Sequence, residues 1–298
     1  MVTPRAIRLK GGRKFTHFHA PTPPQTSPLC LCYSRFAPPV SAVNTVFEFR
    51  GMEQRFLLYQ HNNGACPYLE GKEWVSHAFY AEMLNPLLYE QLISKGFRRS
   101  GTVFYQNHCP GCTHCKPIVV DVQRFSPSPS QRRVLRKNRD IAITRNPVSF
   151  EKGDFVLYRT YIEHRHPSSS VPTPESYINF LIESPVPTEI MRYYRGDHLV
   201  GLAWIDLLPH SLSSVYFAFD PAYSSRSLGT YSILRQIALA QELRKEWLQL
   251  GFWVKESRKM SYKSHFKPCY ILVEGEWKEF LTSSLNGDSA DLLLSLPR

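Results

Sequence analysis

The chain has 298 residues, 43% of them hydrophobic and 13% aromatic, which is enough to bury a core and to divide into two domains. No run of 18 apolar residues offers a membrane span, and the N-terminus lacks the apolar stretch of a secretory signal, so a cytosolic protein without a membrane partner is expected. Seven cysteines, an odd number, argue against a disulfide framework, and a net charge of +11 asks where the excess lies.

Part of the excess lies in the first 51 residues, which hold seven Lys or Arg and one acid, Glu48. With "APTPPQTSP" and "FAPPVSA", residues 1–51 read as a Pro-rich basic extension without a fold of its own, upstream of a folded chain that opens at Met52 and "RFLLYQ". Residues 52–145 read as a small domain rich in cysteine and arginine. Its signature is "NHCPGCTHCKP", with Cys109, Cys112 and Cys115 at spacings of three, and Cys66 in "GACPYLEG" as a fourth thiol. Four thiols suit tetrahedral zinc or an iron–sulfur cluster, and His108 and His114 are substitutes within the loop; spacing alone leaves the metal open.

From Arg98 to Arg139 nine basic residues face Asp121 alone. In "SPSQRRVLRKNRD", Ser130 is a candidate helix cap, and Arg132, Arg136 and Arg139 recur at i, i+4 and i+7, flanked by Arg133 and Lys137. No interleaved acids supply helical ion-pair partners, so the stripe suits a phosphate backbone, whose neutralisation releases condensed counterions.

Residues 146–280 read as a second domain and 281–298 as a tail without functional signal. "VLYRTYIEHRHP" and "PESYINFLIES" predict two helices, and "HLVGLAWIDLL" with "SSVYFAFDP" predicts a hairpin closed by Asp220-Pro221. In "TYSILRQIALAQELRKEWLQLG", Ile233, Ile237, Ala240, Leu243, Trp247 and Leu250 keep helical spacing, predicting one amphipathic helix stopped by Gly251. "FWV" follows as a short strand and "SRKMSYKSHFK" as a basic helix or loop.

Hairpin, Gly-containing turn and long helix resemble the core of the acetyltransferase-like (GNAT-like) fold. The expected class is therefore α+β, with a mixed, largely antiparallel sheet behind the small cysteine-bearing domain. Acetyltransferases bind the coenzyme A pyrophosphate at the helix start through R/Q-x-x-G-x-G/A; here the turn is Arg226-Ser-Leu-Gly229-Thr-Tyr231, and a phenol in the last small position argues against coenzyme A.

"CPYL", "GFRRSG", "YQNHCPGCTHCKPIVV", "RFSPSPSQRRVLRKN", "SSVYFAFDPAYSSRSLGTYSILRQIALAQEL" and "LGFWVKESRKMSYKSHFKP" together resemble the arginyl/leucyl-tRNA protein transferase family, colinearly from about Arg55 to about Phe280. The resemblance implies transfer of an aminoacyl group from a charged tRNA to proteins beginning with Asp or Glu, which creates an N-degron. Two departures from the eukaryotic members stand out: Leu69 replaces a second cysteine after Cys66, and His114-Cys115 replaces an adjacent cysteine pair. The bacterial-type "CPYL" and the lack of an acidic motif favour leucine over arginine as the donated residue. A noncatalytic zinc-bearing RNA-binding protein is the alternative of another class, and it leaves the second domain unexplained.

The implied chemistry needs no cofactor. An aminoacyl ester is already activated, and the nucleophile is an α-amine with a reference pKa of about 7.7 to 8.0. The site must keep that amine neutral and aligned, stabilise an oxyanion, and return a proton to the ribose oxygen. Asp220, or Asp206, is a candidate to take or orient the amine's proton, and Tyr216, Tyr231 and Tyr262 are candidate donors. Arg98, Arg99, Arg226, Arg258, Lys259 and Lys263 are the cations available for the acceptor carboxylate. "EHRH", Glu163 to His166, is a further possible base.

Overall fold

Two sheets sharing one chain carry the architecture, seen in a computed structural model that describes residues 42–49, 52–165, 170–281 and 292–295. In chain order the elements are β1 (Ala42–Phe49), β2 (Met52–Ala65), β3 (Glu73–Tyr80), α1 (Pro86–Ser94), β4 (Arg98–Ser100), β5 (Val103–Asn107), β6 (Lys116–Asp121), α2 (Pro129–Lys137), β7 (Ile141–Pro147) and α3 (Lys152–Arg165). There follow α4 (Pro174–Tyr177), extended by a π turn to Ile182, then β8 (Thr188–Arg195), β9 (His198–Leu207), β10 (Ser211–Phe219), α5 (Leu228–Glu242), β11 (Trp247–Trp253), α6 (Arg258–Ser261), β12 (Cys269–Val273), β13 (Glu276–Leu281) and β14 (Leu292–Ser295).

The smaller sheet has the order β1-β2-β3-β5-β4, and the larger β14-β13-β12-β6-β11-β10-β9-β8-β7. Every pair in the larger sheet is antiparallel except β10 with β11, so the expected α+β, mixed and largely antiparallel class is what the chain adopts. Residues 1–41 of the expected extension lie outside the described residues. Its last part, Ala42–Phe49, is a strand paired with β2. β6, which sequence alone put with the cysteine domain, is threaded between β11 and β12 of the larger sheet.

Alternation along β9 explains how two helical layers cover that sheet. Ala203 and Ile205 join the core under α5, while Leu202 and Trp204 join the core with Tyr158 and Ile162 of α3 and Tyr177 of α4. A third apolar cluster, with Leu92 and Ile93 of α1 against Phe79, Phe97 and Phe104, closes the smaller sheet.

Two helix ends differ from the sequence reading. The cap of α2 is Ser128, not Ser130: its Oγ accepts from Gln131 N at 3.3 Å while Gln131 Oε1 accepts from Ser128 N at 2.8 Å, and Pro129 follows as first helical residue, where no N–H is needed. α5 ends at Glu242 and does not run on to Gly251. Arg244 turns left-handed at φ 55, Lys245 N bonds back to Ala240 O, and Trp247–Trp253 leaves as a strand. The apolar spacing that continues through Trp247 and Leu250 belongs to a strand wedged between β10 and β6; a short apolar run fits either period.

Candidate active site

The parallel pairing of β10 with β11 is brief. Ser211–Ser213 pair with Trp247–Gln249, after which β10 slips register against β9 between Ser214 and Tyr216, and β11 slips against β6 between Gln249 and Phe252. Irregularities on both strands interrupt the ladder between them. The gap is the mouth of a cavity of about 550 Å³ between Ser213–Phe217 and Leu250–Phe252. Arg98 and Tyr105 of the smaller sheet, Tyr262 and Lys263 beyond α6, and Gly229, Ser232 and Gln236 of α5 complete its walls.

The two arginines of "GFRRSG" both line this cavity and differ in what they hold. Arg99 lies flat against Asp206: its Nε donates to Oδ2 at 2.8 Å, its Nη2 donates to Oδ1 and to Thr188 Oγ1, and both side chains are buried. Arg99 is thereby neutralised, and Asp206 spends its two oxygens on Arg99 and Thr188. Arg98, 5% exposed, donates from Nη2 to Gly251 O at 3.1 Å, while Nε and Nη1 are buried without a hydrogen-bond partner. Burial pushes its pKa down, opposed by Tyr89, Tyr105 and Asp206. A buried guanidinium with no paired carboxylate favours an anion beside it.

Lys263 Nζ donates to Leu250 O at 2.7 Å and to Phe252 O at 2.9 Å, one on each side of the Gly251 carbonyl held by Arg98. Gly251 has φ +77, the left-handed turn that lets three carbonyls in a row meet two cations. Burial, and next the Arg98 charge, push the Lys263 pKa down to about 7, with Cys115 opposing. Tyr262 is pushed up to about 12 by burial and then Tyr161, so its phenol stays protonated as a donor. Tyr216 and Lys259 also line the cavity.

Other expected site residues lie elsewhere. Asp220 caps the turn after β10, accepting from Ala222 N at 2.9 Å and facing His198 Nε2 at 3.0 Å, outside the cavity lining. Tyr231 is buried under the sheet, edge-on to Tyr193, so its ring does not stand at the helix start; Gly229 and Thr230 line the cavity there. Arg226 pairs with Asp140 at 2.7 Å, and Arg258 is exposed at the start of α6. Glu163 faces Arg159 at 3.7 Å on the outer surface of α3, and His166 lies outside the described residues.

α2 brings the basic stripe to this site. Lys137 Nζ donates to Ser225 O at 2.7 Å and Asn138 Nδ2 to Arg226 O at 3.0 Å, joining the end of α2 to the loop that starts α5. Arg132, Arg133, Arg136 and Arg139 remain exposed. Asp140, the acid nearest to them in sequence, is shared by Arg226 and Arg195, and these bonds hold its carboxyl well below the usual carboxylate range.

Residues 64–133 match the family model for the N terminus of arginine-tRNA-protein transferase, and residues 153–273 match the model for its C terminus. The aspartate/glutamate leucyltransferase of Thiobacillus denitrificans is 40% identical over 76% of this chain and 95% of its own length; that of Marinobacter nauticus is 42% identical over 73% and 93%. The chain belongs to the arginyl/leucyl-tRNA protein transferase family, in its bacterial leucyltransferase branch. Among solved structures it has a distant likeness to FemX, at 7% identity and a TM-score of 0.40 over 71% of this chain and 79% of that one.

In this transferase the structure brings the four cysteines of the expected metal set close together. Cys66, Cys109, Cys112 and Cys115 are free thiols in one region, close enough that burial and their neighbours raise the pKa of Cys109 and push Cys115 up to about 12. Among the described residues no group of three or more His, Cys, Asp or Glu has a geometry that could hold a metal ion. Cys109 packs its Sγ 3.5 Å from both N and O of Val75 on β3. Pro67 and Tyr68, next to Cys66, line the cavity.

Sequence reasoning missed Tyr89, Tyr105 and Gln236. Tyr89 and Gln236 sit in helices whose local text reads as core, and Tyr105 on a strand reads as packing; only the meeting of the two sheets turns them toward one cavity.

Proposed function

We propose that the protein transfers leucine from leucyl-tRNA to the N-terminal α-amine of proteins beginning with Asp or Glu, marking them as N-degron substrates in the cytoplasm. The observation that carries this reading is Arg98, a buried guanidinium with two unpartnered nitrogens lining a cavity at a strand splay. A carboxylate satisfies both nitrogens and neutralises the charge, which an uncharged amide does not. The donor preference is supported by the walls: Val215, Phe217, Ile233, Leu250 and Met260 contribute apolar surface, and no Asp or Glu is among the lining residues to receive an arginine side chain. The name of the relatives points the same way.

The tRNA acceptor stem lies along the exposed cations of α2 and delivers its 3′ end over the start of α5. The α-amine of the Asp or Glu acceptor attacks the ester carbon, the C–N bond forms, and the ester C–O bond breaks as the ribose oxygen takes a proton. Lys263 in its neutral form spends two N–H bonds on Leu250 O and Phe252 O, leaving its lone pair to take the acceptor's ammonium proton; a pKa of about 7 suits that exchange. The protonated phenol of Tyr262 is a donor for the oxyanion or the ribose oxygen. Transfer of labelled leucine and arginine from tRNA to reporters beginning Asp, Glu, Asn or Lys tests the reading. Leucine on Asp and Glu alone is expected; no label on any reporter overturns it.

A further inference from the structure

α5 presents a polar stripe to the cavity in the midst of an apolar helix. Gly229, Ser232 and Gln236 line it, while Leu234, Ile237 and Ala240 enter the core. Gln236 is fully buried, and its carboxamide is held in place: Nε2 donates to Ser232 Oγ at 3.0 Å, and Ser232 Oγ lies 3.1 Å from the buried Tyr193 OH. Its Oε1 has no hydrogen-bond partner. A cavity-lining glutamine fixed by a hydroxyl chain, with a buried acceptor that no group of the protein satisfies, costs stability that a leucine there would not, unless a ligand supplies the missing N–H.

Two residues that line the cavity thus carry complementary unsatisfied groups: donors on Arg98 and an acceptor on Gln236. Resting on the aminoacyl-transfer reading above, Arg98 matches the acceptor's side-chain carboxylate. Gln236 belongs to the opposite partner, because it lies on the helix whose start is tied to the basic α2. An aminoacyl ester differs from a simple acyl ester by one hydrogen-bond-donating group, the α-amine. The geometry points to Gln236 as the residue that reads the α-amino group of the donor, so that the enzyme selects aminoacyl over plain acyl esters. The N–H of that amine donates to Oε1, and no bond is made or broken by Gln236 itself. A neutral amide suits the task because it binds the amine without the charge that would raise the pKa of Lys263 or compete for Arg98.

The test compares tRNA carrying leucine with the same tRNA carrying 4-methylpentanoate, which is leucine without its α-amine. Transfer of each to an Asp-initiated reporter is measured for the unmodified protein, Gln236→Met and Gln236→Glu. The ratio of kcat/KM for the two donors cancels their intrinsic ester reactivities when compared between proteins. Gln236→Met is expected to lower the preference for the amine-bearing donor by about tenfold or more, the effect of one missing hydrogen bond, and Gln236→Glu to keep it. Ser232→Ala, which frees the carboxamide, is expected to lower it by about threefold and serves if Gln236→Met does not fold. An unchanged ratio in folded Gln236→Met and Ser232→Ala overturns the assignment while leaving leucine transfer intact. Absence of leucine transfer by the unmodified protein overturns the reaction itself, a separate result.

Discussion

Arg98 and Arg99 are neighbours in sequence with opposite electrostatic fates: Asp206 neutralises Arg99, whereas Arg98 lines the same cavity with two unpartnered nitrogens. Alternation along β4 sends one side chain to Asp206 on β9 and the other to the Gly251 carbonyl on β11.

Replacing Arg98 by Met removes the cation the acceptor carboxylate needs. A hydrogen bond to a charged group contributes roughly 1.5–3 kcal/mol, so kcat/KM for Asp- and Glu-initiated peptides falls about 10- to 150-fold. Steady-state kinetics at fixed leucyl-tRNA check this, and an unaltered kcat/KM for the peptide refutes it.

Arg99 gives a different outcome. Asp206→Asn leaves a buried guanidinium without its counter-charge and costs roughly 3–5 kcal/mol of stability. Urea unfolding measures it, and Arg99→Met with Asp206→Leu recovers much of the loss, since an apolar pair carries no desolvation penalty.

Lys263 sets a pH dependence of known sign. Its folded pKa is near 7, against an ordinary value of 10.5, so the unfolded chain holds the proton more tightly. Stability therefore rises as pH climbs from about 7 to about 10.5, and Lys263→Met removes that part of the slope. As base, Lys263 also predicts a kcat/KM profile that rises through pH 7 and flattens in the variant; chemical unfolding and rates across pH 6–9 test both.

The α2 stripe is expected to act through phosphates. Arg133→Gln, Arg136→Gln and Arg139→Gln together should lower the slope of log K for tRNA against log salt by about 0.7–0.9 for each phosphate no longer neutralised, so by at most about 2 to 3. Filter binding over a salt series reads the slope, and an unchanged slope places the tRNA elsewhere.

Asp220→Ala removes a turn cap and should cost about 1 kcal/mol of stability, with leucine transfer within about twofold of the unmodified protein. A fall of a hundredfold in kcat at unchanged stability would bring the carboxylate back into the chemistry.

What the sequence determined by itself was local or carried by long motifs: the hairpin of β9 and β10, the basic helix after "SPSPSQ", the Asp220-Pro221 turn and the family resemblance. Each rests on spacing within a few residues, where backbone sterics and side-chain periodicity act directly. Tertiary structure decided the rest. The end of α5 and the strand at Trp247 follow from a slot between β10 and β6, which no window of sequence displays. The choice between Arg98 and Arg99 depends on Asp206, 107 positions from Arg99, and on a carbonyl 153 positions from Arg98. Gln236 lines a cavity only where α5 meets β10 and β11, strands that its own helix text does not display. Charge and hydrogen-bond satisfaction are properties of neighbours in space, so the family was legible in the chain while the surroundings of individual side chains were fixed by packing.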